Sequence, residues 1–170
     1  MKSVPALVAC SDLTGFAKLT VKLSDGKIFD FLSEYYEFVG EIIASANGRV
    51  IKFMGDASLL LFPEGSVDSG VRVLLALQKK GDNFLAERNI SCRHHIRAHF
   101  GMVCHGDLGA QSDKRPDVIG STVNTLFLLK SSGFTMTPEV FRKLNPETRS
   151  FFKKHTPPVT YIPLEQSHKD

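Results

Sequence analysis

Apolar positions in this chain follow two periods. Residues 4–13, Val-Pro-Ala-Leu-Val-Ala-Cys-Ser-Asp-Leu, form a nearly continuous apolar run that ends at Thr14-Gly15. A short run without polar alternation predicts a central strand buried on both faces, stopped by the turn residues that follow. Behind Ser24, the residues Ile28, Phe31, Leu32, Tyr35, Phe38, Val39, Ile42, Ile43 and Ala46 recur at helical spacing, and Asn47-Gly48 closes the pattern. This predicts an amphipathic helix with Ser24 as N-cap and Asn-Gly as its stop.

Residues 50–53 and 57–62 read as two strands around Met54-Gly55-Asp56, with Pro63 and Gly65 ending the second. Gly55 permits the sharp backbone of a hairpin tip. From Val67 to about Leu85, the spacing of Val71, Leu74, Leu75, Leu77 and Leu85 predicts a second helix, which Gly81 weakens towards its end. Residues 93–104 set Arg93, His95, Arg97 and His99 against Ile96, Ala98 and Phe100, the alternation of a strand with one polar face. The resulting order, β-α-β-β-α-β, is that of a split β-α-β unit. It predicts an α+β, ferredoxin-like fold with an antiparallel-rich sheet and both helices on one face. Further on, residues 122–130 read as a helix, Thr137-Pro138-Glu139 as an N-cap with Pro at the first helical position, and Pro146 as the opening of a second short helix. Residues 157–164 read as one last strand, so the expected organisation is a single domain of residues 1–164 and a frayed tail of residues 165–170.

Composition narrows the function classes. A length of 170 residues with 42% hydrophobic content is ample for one buried core. The net charge of +3 is small and the Lys and Arg residues are scattered, which gives no support to nucleic-acid binding. Cys10, Cys92 and Cys104 are odd in number and lack Cys-x-x-Cys spacing, so neither a disulfide framework nor a zinc site is indicated and a reducing cytoplasm is the expected setting. The apolar run at the start is cut by Asp12 too soon for a signal peptide, and no run approaches a membrane span, so direct membrane insertion is not expected. A longer native protein carrying regulatory domains is compatible with such a piece.

Asp12 and Asp56 carry the candidate chemistry, because each closes an apolar strand-like run. In a split β-α-β unit the end of the first strand and the tip of the hairpin are neighbours, which would bring the two carboxylates together. Paired hard oxygen ligands on strand ends suit divalent cations of the kind used in phosphoryl transfer, magnesium first among them. The backbone N–H groups of Thr14, Gly15 and Phe16 follow Asp12 at a turn suited to phosphate oxygens. Taken singly, Asp-x-Thr-Gly is an ordinary strand-to-helix turn and Gly-Asp an ordinary hairpin tip. His94, His95 and His99 form no matched ligand set, since adjacent residues on a strand face opposite ways.

In combination the motifs are specific. Ser11-Asp12-Leu13-Thr14-Gly15-Phe16, then Gly48-Arg49-Val50-Ile51-Lys52-Phe53-Met54-Gly55-Asp56-Ala57, then Asp117-Val118-Ile119-Gly120-Ser121-Thr122-Val123-Asn124 resemble the catalytic domain of class III adenylate and guanylate cyclases over approximately residues 5–145. The resemblance implies that Asp12 and Asp56, with the Leu13 carbonyl, hold two Mg²⁺ or Mn²⁺ ions. It implies that Lys52 and Asp117 read the base and that Asn124 helps place the ribose and the transition state. A donor-only Lys suits N1 of adenine and an acceptor-only Asp suits its exocyclic amine, whereas related guanylate cyclases carry Glu at the position of Lys52. The implied substrate is ATP. Because the family's site lies between two domains and this chain carries both half-sets, the implied assembly is a head-to-tail homodimer with composite sites.

Three positions depart from the family pattern. An Arg expected one helical turn after Asn124 is replaced by Leu128, which removes a charge that can be worth about 10³-fold in phosphoryl transfer. His95 stands where a phosphate-binding Arg is usual, with Arg93 and Arg97 on the same strand face, and Lys114 and Arg115 in what reads as a loop, as candidate replacements. The candidate phosphate ligands are therefore His95, Arg97 and Arg115. Lys153 and Lys154 are not matched to the Lys that family members bring from a late hairpin. Two readings follow: an adenylate cyclase, or a degenerate cyclase-homology domain that binds nucleotide or dimerises with little turnover, with altered nucleotide specificity as a variant of the first.

Overall fold

The apolar run at the N-terminus forms β1 (Lys2–Thr14), the strand on which the rest of the domain is assembled. The computed structural model describes residues 1–130 and 132–167. After β1 come a short helix α1 (Phe16–Thr20), the long helix α2 (Asp25–Ala44), the hairpin β2 (Arg49–Met54) and β3 (Ala57–Pro63), helix α3 (Val67–Glu87) and the long strand β4 (Arg93–Ala110). The expected β-α-β-β-α-β order is therefore present. Helix α2 stops as the sequence predicts: Asn47 takes a φ of 58° and Gly48 N–H bonds back to the Ile43 carbonyl at 3.2 Å.

Antiparallel pairing dominates the sheet, whose order is β2-β3-β1-β4 and then three short strands, β6 (Phe134–Met136), β8 (Thr160–Pro163) and β7 (Phe152–His155). A further strand, β5 (Asp113–Ile119), forms a hairpin with the far half of β4. Successive side chains of β1 enter two cores, as expected of a strand covered on both faces. Leu7, Ala9 and Leu13 pack with Tyr35, Val39 and Ile43 of α2 and Val71, Leu74 and Leu77 of α3. Ala6, Val8 and Cys10 pack on the opposite face with Val118 and with Val123 and Leu126 of helix α4 (Ser121–Leu128). Helices α2 and α3 thus share one face, while α4 lies on the other and stops short of the expected end at residue 130 because Leu129 is extended. Two short helices, α5 (Pro138–Arg142) and α6 (Pro146–Arg149), each begin with Pro after Thr137 and Asn145.

The structure corrects several local expectations. Gly81 does not weaken α3: a Cβ there would lie 2.2 Å from the His94 ring, so the helix needs glycine to let that imidazole pack against it. His94 is thereby buried, with Nε2 at 2.9 Å from the Tyr35 hydroxyl and its backbone N–H donating to Asp82 at 2.9 Å. Residues 157–164 are not one strand. Pro157 and Pro158 cannot donate to a ladder, so the chain turns there and the hairpin is made from β7 and β8, with Lys153 Nζ donating to the Leu164 carbonyl at 2.8 Å. Lys114 and Arg115 lie in β5 and not in a loop; Pro116 disguises that strand in the sequence. Gln166 accepts from the Phe134 N–H at 2.7 Å, and the last three positions of the expected frayed tail, 168–170, lie outside the described residues. No helix among the described residues is long and apolar enough to cross a membrane.

Candidate active site

Antiparallel register alone brings Asp12 to Asp56. Ser11 of β1 pairs with Ser58 of β3, so the two-residue tip that follows β2 lies beside the end of β1. The Leu13 N–H donates to Asp12 Oδ1 at 2.9 Å and to Asp56 Oδ2 at 3.1 Å, holding both carboxylates on one donor. Burial, the contact with Asp12 and its charge push the Asp56 carboxyl up to about 6, against the opposing pull of the Leu13 N–H. Thr14 ends β1, Gly15 turns with a φ of 91° to cap α1, and Phe16 packs 6.3 Å from Phe31.

Lys52 and Asp117 meet from distant strands, Lys52 Nζ donating to Asp117 Oδ2 at 2.8 Å. A bulge makes this contact. Val50 opposes Leu60 but Lys52, not Ile51, opposes Leu59, and Leu59 belongs to the core on the α4 side. Without the extra residue Lys52 would oppose Ser58 and point towards α2; the bulge turns it to the face that carries β5. Burial alone would raise the Asp117 carboxyl, but the hydrogen bond and charge of Lys52 and the Val118 N–H at 2.8 Å outweigh it and hold it below the usual value. The pair borders a cavity of about 620 Å³ walled by Phe53, Leu108 and Pro116, to which neither Asp12 nor Asp56 contributes.

His95 and Arg97 stand on the α4 side of β4, opposite Asp12 and Cys10 of β1. Burial and the neighbouring Arg97 hold the His95 imidazole below its usual pKa, with Asp12 pulling the other way. Its Nε2 is buried without a hydrogen-bond partner among the described residues. Arg97 bridges two parts of the site: Nη2 lies 3.9 Å from Asp12 Oδ2 and Nη1 donates to the Phe127 carbonyl of α4 at 3.5 Å. Arg115 is elsewhere. It makes a two-point pair with Asp113 at 3.1 and 3.0 Å and lines the cavity beside Lys52 and Asp117. Asn124 and Leu128 are both exposed on α4, Leu128 to 82%.

No family model matches the chain. An adenylate cyclase of Anabaena cylindrica is 30% identical over 121 residues, which cover 66% of this chain and 24% of that protein. Among solved structures, a bacterial light-regulated adenylyl cyclase superposes with a TM-score of 0.84 at 20% identity, over 99% of this chain and 55% of the other. The adenylyl cyclase CyaB from P. aeruginosa gives the same TM-score, 0.84, at 16% identity over 98% and 96% of the two chains. The chain is thus a relative of adenylate cyclases, with the fold of adenylyl cyclase catalytic domains. It spans about a quarter of the length of its Anabaena relative.

Sequence reasoning missed two features of the site. The bulge that aims Lys52 leaves no mark in Val50-Ile51-Lys52-Phe53, because a bulge is a property of pairing and not of local composition. The link from Arg97 to Asp12 and to the end of α4 likewise depends on tertiary packing. The alternation of residues 93–104 did put Arg97 on the polar face, and that was the only signal available.

Proposed function

We propose that residues 1–164 form a cyclase catalytic domain that converts ATP to 3′,5′-cyclic AMP and pyrophosphate between two head-to-tail copies of the chain. One observation carries this reading: the strand register places Asp12 and Asp56 on a single N–H donor. Burial and the neighbouring Asp12 raise the Asp56 carboxyl to about 6, and a cation placed between the two carboxylates would favour its ionised form. The residues therefore fit divalent cations, with Asp12, Asp56 and the Leu13 carbonyl as the groups that would hold two Mg²⁺ or Mn²⁺ ions. No group of three or more His, Cys, Asp or Glu that could hold a metal occurs among the described residues, so water and phosphate oxygens would complete the coordination. When bound, such ions supply Lewis acidity at the ribose 3′-oxygen and at the triphosphate, where the 3′-oxygen bonds to the α-phosphorus as pyrophosphate leaves.

The chain's own groups orient that reaction. Lys52 donates to N1 of adenine and Asp117 accepts from the exocyclic amine, exchanging part of their mutual bond for bonds to the base. The N–H groups of Thr14, Gly15 and Phe16 face the triphosphate, and Asn124 of the second copy orients the ribose. The separation of the Lys52–Asp117 cavity from Asp12 and Asp56 supports a site shared by two copies. So does the exposure of Asn124, Phe127 and Leu128 on one helix.

A second reading, a weak or silent cyclase-homology domain, is favoured by exposed Leu128 in place of a cation and by a His95 biased to the neutral form. Arg97, beside Asp12, offsets part of that missing charge, so slow turnover is expected and not none. Incubation with Mn²⁺ and ATP, GTP, CTP or UTP, with cyclic products read by mass spectrometry, separates the two. Cyclic AMP from ATP is the expected result; nucleotide binding without any cyclic product would favour the silent domain.

A further inference from the structure

We infer that Tyr36 is a positioning residue for the hairpin tip, clamping the segment between Lys52 and Asp56 from the side of α2; its consequence for metal rests on the reading of Asp56 given above. Tyr36 follows the fully buried Tyr35 by one helical step, which takes it out of the core and under the β2–β3 tip. Its ring stacks on Phe53 with centroids 3.8 Å apart and planes 6° from parallel. Its hydroxyl donates to the Gly55 carbonyl at 2.6 Å. Gly55 itself is left-handed, with a φ of 66°, and no atom lies within 4 Å of where a side chain on it would begin. The tip is otherwise open on that side.

Two anchors therefore fix the tip from opposite directions. The Leu13 N–H holds the Asp56 carboxylate to β1, and Tyr36 holds the peptide that leads into Asp56 to α2. The stack also fixes Phe53, the neighbour of Lys52, whose direction is set by the bulge one residue earlier. The Tyr36 phenol is protonated at neutral pH and so is a donor there, and burial and the charge of Asp56 push its pKa further up. A tip fixed on one side only would let the Asp56 carboxylate wander from Asp12, and loss of an orienting contact behind a metal ligand weakens metal binding about 10–100-fold.

The test compares Tyr36→Phe, which keeps the stack and loses the hydroxyl, with Tyr36→Leu, which loses both. Hydrogen exchange of the amides at 53–57 in metal-free protein reads the tip, and the electron paramagnetic resonance signal of free Mn²⁺ reads metal affinity. Tyr36→Leu is expected to speed exchange at the tip about tenfold with exchange in β1 and α3 unchanged, and to weaken Mn²⁺ binding about tenfold. Tyr36→Phe is expected to fall between it and the wild type in both, the partial rescue that a merely space-filling role would not produce. Tip exchange in Tyr36→Leu equal to wild type overturns the clamp. If the Leu variant does not fold, a Phe variant indistinguishable from wild type at 53–57 overturns the role of the hydroxyl. Faster tip exchange combined with Mn²⁺ binding that is indifferent to both Tyr36→Leu and Asp56→Ala keeps the clamp and removes the metal assignment instead.

Discussion

The corner that holds Asp12 and Asp56 and the exposed face of α4 that carries Asn124 and Leu128 are built in opposite ways. The corner is over-determined: two strands in register, one shared N–H and a hairpin tip oblige two carboxylates to stay close although they repel. The face of α4 rests on the burial of Thr122, Val123 and Leu126 beneath it and on the Thr122 hydroxyl, which donates to the Met102 carbonyl at 2.6 Å, and its outward residues Asn124, Phe127 and Leu128 meet solvent. Groups of like charge need a scaffold that enforces their approach, because nothing in the side chains favours it. Groups that act on a ligand presented by another copy need only a firm helix behind them. The difference suggests that loss at the corner is all or none, whereas the α4 face tolerates replacement and even improvement.

Breaking the corner gives the largest expected effect. Asp12→Ala or Asp56→Ala should lower metal-dependent cyclic AMP formation by at least about 10²–10³-fold, the scale of removing one electrostatic partner of a transition state. The fold should survive, since removal of either carboxylate relieves repulsion, so the melting temperature should stay level or rise in the absence of metal. Turnover retained in either variant, measured beside circular dichroism, would mean that the corner does not hold the metal.

The α4 face is tested by addition. Leu128→Arg restores a cation one helical turn beyond Asn124 at a position 82% exposed, so the change carries no packing cost. If the missing charge limits the rate, kcat should rise by about tenfold or more, part of the roughly 10³-fold an arginine can supply to phosphoryl transfer, with little change in KM for ATP. An unchanged kcat would assign that charge to Arg97, already placed between Asp12 and the Phe127 carbonyl.

The same contrast explains what the sequence made legible. The β-α-β-β-α-β order and the meeting of Asp12 with Asp56 were readable because long apolar periods specify the elements, and register specifies the rest once a sheet face is buried. Strands β5 and β6 were not readable. β5 is polar and contains Pro116, and β6 has three residues, all buried, which is too short for a period to emerge. The pairing of Lys52 with Asp117 was suggested only through family resemblance, since the bulge that turns Lys52 is invisible along the chain. Gly81 misled in the opposite sense: its cost to a helix is a local rule, and the imidazole of His94 that requires it comes from β4.

The smallest effect, and the sharpest probe of why the corner is built as it is, lies in pH. In the metal-free domain the Asp56 carboxyl keeps its proton up to about 6, above the usual 3.8. A raised carboxyl favours the folded state fully below the usual value, and that contribution is lost as pH rises through about 6. A cation binds the ionised form, so its stabilising effect should appear over the range in which the proton's disappears. At a hundredfold excess over Kd the cation adds about 2.7 kcal/mol, a rise in Tm of roughly 5–10 °C for a domain of this size. The difference in Tm with and without Mn²⁺ should therefore be small near pH 5, grow through pH 6 and level off above about pH 7. Asp56→Asn, which cannot ionise, should flatten the profile. An equal Mn²⁺ effect at both ends of the range in the wild type would place the cation away from Asp56, and the corner would then be two carboxylates held together for another purpose.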